Sequence, residues 1–368
     1  MRILFVTKSL SFFGGGAERI LVDVAGALAD RGHEVTIGTF DADGAQPFYP
    51  LSAKVTFQRL GVGDTLVPTD FAMLGRRAWA LRRFVRTAAP DIAVGFLHSS
   101  YVPLSFGLAF SGIPVVASEH IVFSHYLSRP VERLTLRAIV PFVRAVTAVS
   151  ETMRSSFPNP MRSKMHVVPN PLLRSNHIAN VLGGKSKTLL SVGRLEPQKD
   201  HTTLISAFGM IADKFPEWRL RIVGEGALRD ALIRQAHSLG LTQRFEIPGA
   251  VRNIATEYAA AQLFVMPSLY ESFGLATAEA LSHGLPAIGF AECPGTNDLI
   301  QDGVNGVLAR GRGSAESLAE ALAQLMSSPD LCLRMAKNAP RTVAQYGLDA
   351  VVDRWEMLLQ QTTTQADA

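Results

Sequence analysis

Only two cysteines, Cys293 and Cys332, occur in this 368-residue chain. A disulfide framework is therefore excluded, and a reducing compartment is expected. No run approaches the ~20 apolar residues needed to cross a bilayer. The apolar opening stretch, residues 2–7, is too short for a signal peptide's apolar region, and no small-residue cleavage site follows. The chain reads as cytosolic. Histidine and cysteine never cluster at metal-ligand spacing, so no zinc site is expected. Neither glycine-rich turn meets the Gly-x-Gly-x-x-Gly fingerprint of dinucleotide binding, because Arg19 and Arg229 stand where its last glycine should be. There is no low-complexity block, and 47% of the residues are hydrophobic. That length and composition suit two well-packed domains.

Charge is distributed unevenly. Residues 1–175 carry 19 Lys and Arg against 12 Asp and Glu, and the remainder carries 17 against 20. A basic first half suggests an anionic surface or acceptor as its partner, although a solubility surplus would look the same. Short apolar runs alternate with helical patterns almost throughout, which predicts parallel α/β units. Strands are expected at 3–7, 35–40, 55–60, 92–97, 115–118, 146–149 and 166–168, with helices at 18–31 and 69–87 between them. The second half repeats the scheme, with strands at 188–192, 220–223, 245–247, 263–266, 287–290 and 306–308. Its helices are expected at 202–215, 227–239, 254–260, 273–283, 315–327 and 331–336. Polar residues and Gly183-Gly184 interrupt the pattern at 171–187, as a linker would. The expected fold is two doubly wound, Rossmann-like domains, 1–175 and 185–345, facing a central cleft that takes the ligand. Residues 348–360 form a closing helix, and 361–368 look frayed.

The most informative stretch runs from Tyr270 to Glu279. The strand 263–266 stops at Pro267-Ser268, and a loop bearing Glu271 follows, then Gly274, then good helix formers. A helix starting there aims free N–H groups above the strand end and makes an anion site. Two carboxylates beside it, Glu271 and Glu279, suit a ligand that combines phosphate with sugar hydroxyls. The loop after the second half's first strand holds Arg194 and Lys199. Both can reach a diphosphate there, one as a fork and one as a point charge, unless the loop is merely a solvated basic one. His120, in Ser118-Glu119-His120 at another strand end, could bind a sugar hydroxyl, though a lone histidine is more often structural. Asp41-Ala42-Asp43 resembles the Asp-x-Asp metal motif of some sugar transferases but closes a strand before Gly44, where two acids usually mark a turn. The helix 69–87 puts Phe71, Leu74, Ala78, Leu81 and Val85 on a core face. Its other face carries Arg76, Arg83 and Arg86 around Trp79, the composition of an interfacial membrane contact or of a solvated basic face. Arg129, Arg133 and Arg137 add a second basic stripe.

Taken in order, Gly14-Gly15-Gly16-Ala17-Glu18, Ser118-Glu119-His120, Val168-Pro169-Asn170, Val192-Gly193-Arg194 with Lys199, and Glu271-Ser272-Phe273-Gly274-Leu275 with Glu279 carry a resemblance. They resemble the GT-B-fold retaining glycosyltransferases of the family 4 type, in which seven residues separate the two glutamates. The likeness covers nearly the whole chain. It implies that Arg194 and Lys199 bind the donor diphosphate, helped by Gly15, Gly16 and the Gly274–Leu275 amides beside Phe273. It further implies that Glu279 takes the ribose hydroxyls, Glu271 the transferred sugar, and the backbone at Val251 and Arg252 the base. His120 would contact the donor sugar from the opposite domain. Such enzymes use front-face attack, with the leaving diphosphate accepting the acceptor's proton, and need no metal and no cofactor. The last helix would return to the first domain. One departure is Glu292-Cys293-Pro294-Gly295-Thr296-Asn297-Asp298, which replaces the usual double-glycine loop and leaves the donor open.

The sequence reading is thus a cytoplasmic glycosyltransferase, peripheral on the inner face of the cell membrane. It would take a nucleotide sugar (a UDP-sugar favoured, GDP-mannose second) and glycosylate a saccharide or lipid-linked saccharide in polysaccharide assembly. An epimerase or phosphorylase of the same fold, or a nucleotide-sugar-binding protein without turnover, are the alternatives. Nucleic acid is not an expected partner, because the basic half lacks aromatic interleaving and the two-acid site would repel phosphate backbones.

Overall fold

The structure is a computed structural model of residues 1–368, described here except for residues 12–15, 64, 66–69, 174–176, 185 and 365–368. The chain divides into two compact units.

Unit 1 holds the strands β1 (Arg2–Thr7), β2 (Glu34–Thr39), β3 (Thr56–Arg59), β4 (Ile92–Phe96), β5 (Val115–Ser118), β6 (Ala145–Ala148) and β7 (Met165–Val167). They form one sheet in the order β3-β2-β1-β4-β5-β6-β7, parallel at every pairing. Its helices are α1 (Gly16–Asp30), α2 (Phe71–Ala88), α3 (His98–Gly107), α4 (Pro130–Ile139) and α5 (Glu151–Ser156). β4, β5 and β6 are buried along their whole length, as a parallel sheet with both faces covered requires.

Unit 2 runs from Leu172 to Gly347. Its strands are β8 (Lys187–Val192), β9 (Trp218–Val223), β10 (Phe245–Gly249), β11 (Leu263–Met266), β12 (Ala287–Phe290) and β13 (Gly306–Ala309). They form a parallel sheet in the order β10-β9-β8-β11-β12-β13. Its helices are α6 (His201–Ile211), α7 (Arg229–Ser238), α8 (Ile254–Ala260), α9 (Leu275–Ser282), α10 (Thr296–Leu299), α11 (Ala315–Met326) and α12 (Pro329–Val343). The last helix, α13 (Leu348–Thr364), belongs to unit 1. There Trp355 is buried against Phe5, edge-on at 6.3 Å, and stacks on Phe96 at 5.8 Å. Arg31 and His33 tie the helix down through Glu356, each at 2.8 Å.

Several expectations are corrected. α12 is far longer than 331–336, because Pro329 sits at its first turn, where proline is favoured. Its buried Cys332, Met335, Ala339 and Val343 then keep helical spacing through Pro340. α13 continues to Thr364, so residues 361–364 are helical, not frayed. α3, unread in the sequence, is buried on nearly every side and so has no amphipathic stripe to betray it. On α2 the predicted core face holds at Leu81 and Val85, which are buried, but not at Phe71. Phe71 is 67% exposed, while Arg77 is fully buried, its guanidinium 4.6 Å over the Phe40 ring. Burial lowers the Arg77 pKa from its usual value. Arg76, Trp79, Arg83 and Arg86 are all exposed.

Candidate active site

In a doubly wound sheet, ligands bind where the strand order reverses, at the carboxyl ends of the two strands flanking that point. In unit 2 those strands are β8 and β11. The loops that follow them are the ones bearing Arg194, Lys199 and Glu271.

The β8 loop is locked from beneath. Leu195 is fully buried, and the chain beyond β9 crosses so closely that a Cβ on Gly224 would lie 1.9 Å from the Gly193 carbonyl oxygen. A Cβ on Gly226 would lie 2.5 Å from that of Leu195. Both glycines thus serve backbone approach, which accounts for the incomplete dinucleotide fingerprint. After a short 3-10 turn, Asp200 takes a left-handed conformation and accepts a hydrogen bond from Thr203 N, capping α6.

The β8 and β11 loops are stitched together. Leu269 N donates to the Gln198 carbonyl at 2.9 Å, and Gln198 Nε2 donates to the Tyr270 carbonyl at 2.8 Å. Lys199 Nζ reaches Glu271 Oε1 at 2.5 Å, and Ser268 Oγ donates to the same oxygen at 2.6 Å. The side chains of the ion pair are 14% and 10% exposed. Glu271 Oε2 accepts no hydrogen bond among the described residues and is the open acceptor of the pair. Lys199 spends one of its three N–H donors on Glu271 and keeps two for an anion.

Gly274 lies in the left-handed region, φ 84°, and starts α9 without a side-chain cap. The first-turn amides of α9 therefore have no side chain closing them off. Glu279, half-buried on this helix, accepts from Tyr258 Oη at 2.9 Å. Tyr258 in turn packs against the His283 ring at 5.0 Å. Around the other flank, Glu271 N donates to the Pro294 carbonyl at 2.9 Å. There Gly295, φ 79°, leaves room for Glu271. Arg312 Nη1 ties down the Leu269 carbonyl at 3.0 Å.

The remaining predicted residues are placed as follows. Arg194 is exposed and pairs with Glu196 at 2.8 Å. Val251 and Arg252 lie on the loop between β10 and α8. Phe273 is buried with its ring edge-on to Tyr346 at 5.1 Å, so its side chain is a packing group and only its backbone borders the site. In unit 1, Gly16 is the exposed first residue of α1, and Gly14 and Gly15 fall outside the described residues. His120 follows β5, half-buried, with its ring stacked on Phe96 at 5.1 Å. Burial pushes its pKa down to about 4. Asp41 is buried and accepts from Ser9 Oγ, Ser11 Oγ and Leu10 N. It therefore orders the segment leading to the first glycine loop, and the expected turn follows it, Ala45 N donating to the Ala42 carbonyl at 3.2 Å with Gly44 at φ 86°. Among the described residues no group of three His, Cys, Asp or Glu could hold a metal ion.

One residue beneath the site escaped the sequence reading. His201, the first residue of α6, is 1% exposed, and among the described residues neither ring nitrogen has a hydrogen-bond partner of good geometry. Burial first, then the Lys199 charge, pushes its pKa down to about 3, while the Gly193 and Arg194 carbonyls pull weakly the other way. The unfolded chain takes up this proton as pH falls through about 6.5, and the folded chain does not. Stability should accordingly fall on acidification from 6.5, by about 2 kcal/mol at pH 5 from this residue. Urea unfolding at pH 7 and pH 5 tests it: His201→Leu should flatten the pH dependence by that amount, and an unchanged slope would refute the assignment.

Residues 14–172 match the family model described as Glycosyltransferase Family 4, and residues 174–342 match Glycosyl transferases group 1. A Campylobacter jejuni enzyme is 26% identical over 98% of both chains. It is named GalNAc-alpha-(1->4)-GalNAc-alpha-(1->3)-diNAcBac-PP-undecaprenol alpha-1,4-N-acetyl-D-galactosaminyltransferase. Among solved structures, sucrose-phosphate synthase from Thermosynechococcus elongatus superposes with a TM-score of 0.85 at 19% identity, over 99% of this chain and 100% of that one. HepE from Anabaena, in complex with UDP and glucose, gives 0.79 at 24% identity, over 98% and 99%. These two likenesses establish the fold. With its halves matched in turn by these two models and its two parallel sheets superposing on such structures, the chain is a glycosyltransferase of the GT-B fold.

Proposed function

We propose that this enzyme transfers a sugar, with retention at the anomeric carbon, from a nucleoside diphosphate sugar to a saccharide or lipid-linked saccharide in glycan biosynthesis. A UDP-sugar is the favoured donor and GDP-mannose the second candidate. The observation that carries the reading is the Lys199–Glu271 pair at the switch point, beside the uncapped α9. Charge develops on the leaving diphosphate, and Lys199, Arg194 and the α9 amides supply preorganised compensation for it. Glu271 Oε2 accepts from a hydroxyl of the transferred sugar, and Glu279, held by Tyr258, accepts from the ribose. The backbone at Val251 and Arg252 borders the base. The acceptor hydroxyl attacks from the face the diphosphate leaves, and its proton passes to the diphosphate. No cofactor or metal takes part. The C. jejuni relative's name specifies an undecaprenol-linked saccharide, and HepE was solved with UDP; both support the substrate class.

A thermal-shift screen against UDP, GDP, ADP and their sugar conjugates, with and without EDTA, tests the donor assignment. At 100 times its dissociation constant a nucleotide stabilises by about 2.7 kcal/mol. One nucleotide should stand out, indifferent to EDTA and lost in Arg194→Ala. No response to any nucleotide would sink the reading.

A lipid-linked acceptor fits the surface of α2, which contains no acidic residue and exposes Arg76, Trp79, Arg83 and Arg86. The Arg83 guanidinium stands 5.9 Å over the Trp79 ring. This face docks on the anionic inner surface of the cell membrane. No described helix is long and apolar enough to cross it. Each arginine near such a surface contributes about 1 kcal/mol. Changing Arg76, Arg83 and Arg86 to Gln together should weaken binding to phosphatidylserine vesicles roughly 100-fold, and undiminished binding would exclude this face.

A further inference from the structure

The surroundings of His120 fix more than its position. Thr147 Oγ1, on β6 and 1% exposed, donates to Ser118 Oγ at 3.0 Å. Ser118, at the end of β5 and fully buried, lies 2.9 Å from His120 Nε2. A serine hydroxyl has one proton. Thr147 fills one of the oxygen's two acceptor positions, and among the described residues Nε2 is the one acceptor bonded to Ser118 Oγ that can take the serine's own proton; a nitrogen that accepts a hydrogen bond carries no hydrogen. In a neutral imidazole the proton then sits on Nδ1. In water the opposite tautomer is the commoner one, so this arrangement imposes a choice.

The rest of the shell holds the ring still. Its face lies against Phe96, which is itself stacked on Trp355. The backbone on either side is pinned by Glu119, a fully buried carboxylate. Glu119 Oε1 accepts from His120 N and Ile121 N, each at 2.9 Å. Its Oε2 accepts from Tyr101 Oη at 2.5 Å and Tyr126 Oη at 2.8 Å. Among the described residues Nδ1 makes no hydrogen bond, so it is the nitrogen left for a ligand.

We propose that Thr147 and Ser118 are positioning residues that hold His120 as its Nδ1–H tautomer, so that it meets a substrate oxygen as a neutral hydrogen-bond donor and not as a base. The ligand half of this rests on the reading of His120 as a sugar contact; the tautomer half does not.

Nitrogen-15 spectra of the full chain labelled at histidine read the tautomer directly, without turnover. The wild type should show a protonated Nδ1 and a bare Nε2 on His120, assigned by its disappearance in His120→Asn. Ser118→Ala should shift the ring toward Nε2–H, and Thr147→Val, which keeps the shape, should shift it the same way. A wild-type ring protonated on Nε2 would overturn the proposal. Transfer kinetics test the ligand half. Asparagine places its amide nitrogen near the Nδ1 position and glutamine near Nε2, so His120→Asn should retain about tenfold more kcat/KM than His120→Gln, the effect of one hydrogen bond. Equal or reversed activity would overturn the donor role. Failure of the glycosyl-transfer reading itself would appear elsewhere, as the absence of any nucleotide response, and would leave the spectra decisive for the tautomer.

Discussion

Lys199→Met is expected to lower turnover by a factor of 100 to 1000 and to destabilise unit 2 by about 3–5 kcal/mol. The first figure is the scale on which preorganised charge acts on a leaving group. The second follows from the setting of the pair. Both side chains are largely buried, and losing one partner of a buried ion pair leaves the other uncompensated. Only Ser268 would then remain on Glu271 Oε1. The two effects are separable. Lys199→Met with Glu271→Leu removes both charges, and such replacements of buried pairs are often neutral for stability. The double variant should therefore recover much of the stability and none of the turnover. A single variant within tenfold of the parent's turnover would show that Lys199 carries no leaving-group charge.

The second large effect is steric. Gly295→Ala should destabilise the chain by roughly 3 kcal/mol or more and abolish the nucleotide-induced thermal shift. A Cβ there would lie 2.5 Å from the Glu271 carbonyl oxygen and 2.9 Å from Glu271 Cβ, so the carboxylate's own backbone would have to move. The left-handed backbone, φ 79°, adds about 1–2 kcal/mol of intrinsic strain. Gly303 is the control: its φ is 76°, and an added Cβ meets nothing within 4 Å. Gly303→Ala should show the strain alone and keep the nucleotide response. If denaturant titrations gave the two variants equal stability, the close approach at Glu271 would not be what demands glycine.

These expectations rest on residues whose legibility in the sequence differed for physical reasons. The strands could be read because β4, β5, β11 and β12 are buried throughout and appear as unbroken apolar runs. The Arg194–Lys199 and Glu271–Glu279 stretches could be read because each is a local pattern, strand then loop then helix. That Lys199 meets Glu271 was not legible, since it depends on β8 and β11 being neighbours in the sheet. The Thr147–Ser118–His120 relay likewise needs β5 beside β6. α2 misled because a buried arginine stacked on Phe40 occupies the place a hydrophobic residue would be expected to take. Phe273 misled because its ring is claimed by Tyr346, more than seventy positions away.

The return of α13 to unit 1 also sets an order of events during synthesis. Phe5 and Phe96 leave the ribosome early, yet the Trp355 ring that covers them is made only after the whole of unit 2. Unit 2 is contiguous, Leu172 to Gly347, and can close while the chain is still being extended. Unit 1 has to wait for α13, with its aromatic pair uncovered in the meantime. A nascent chain stalled before Leu348 would therefore carry one finished unit and one open one, and translation through the seventeen residues of α13 is the step that closes unit 1.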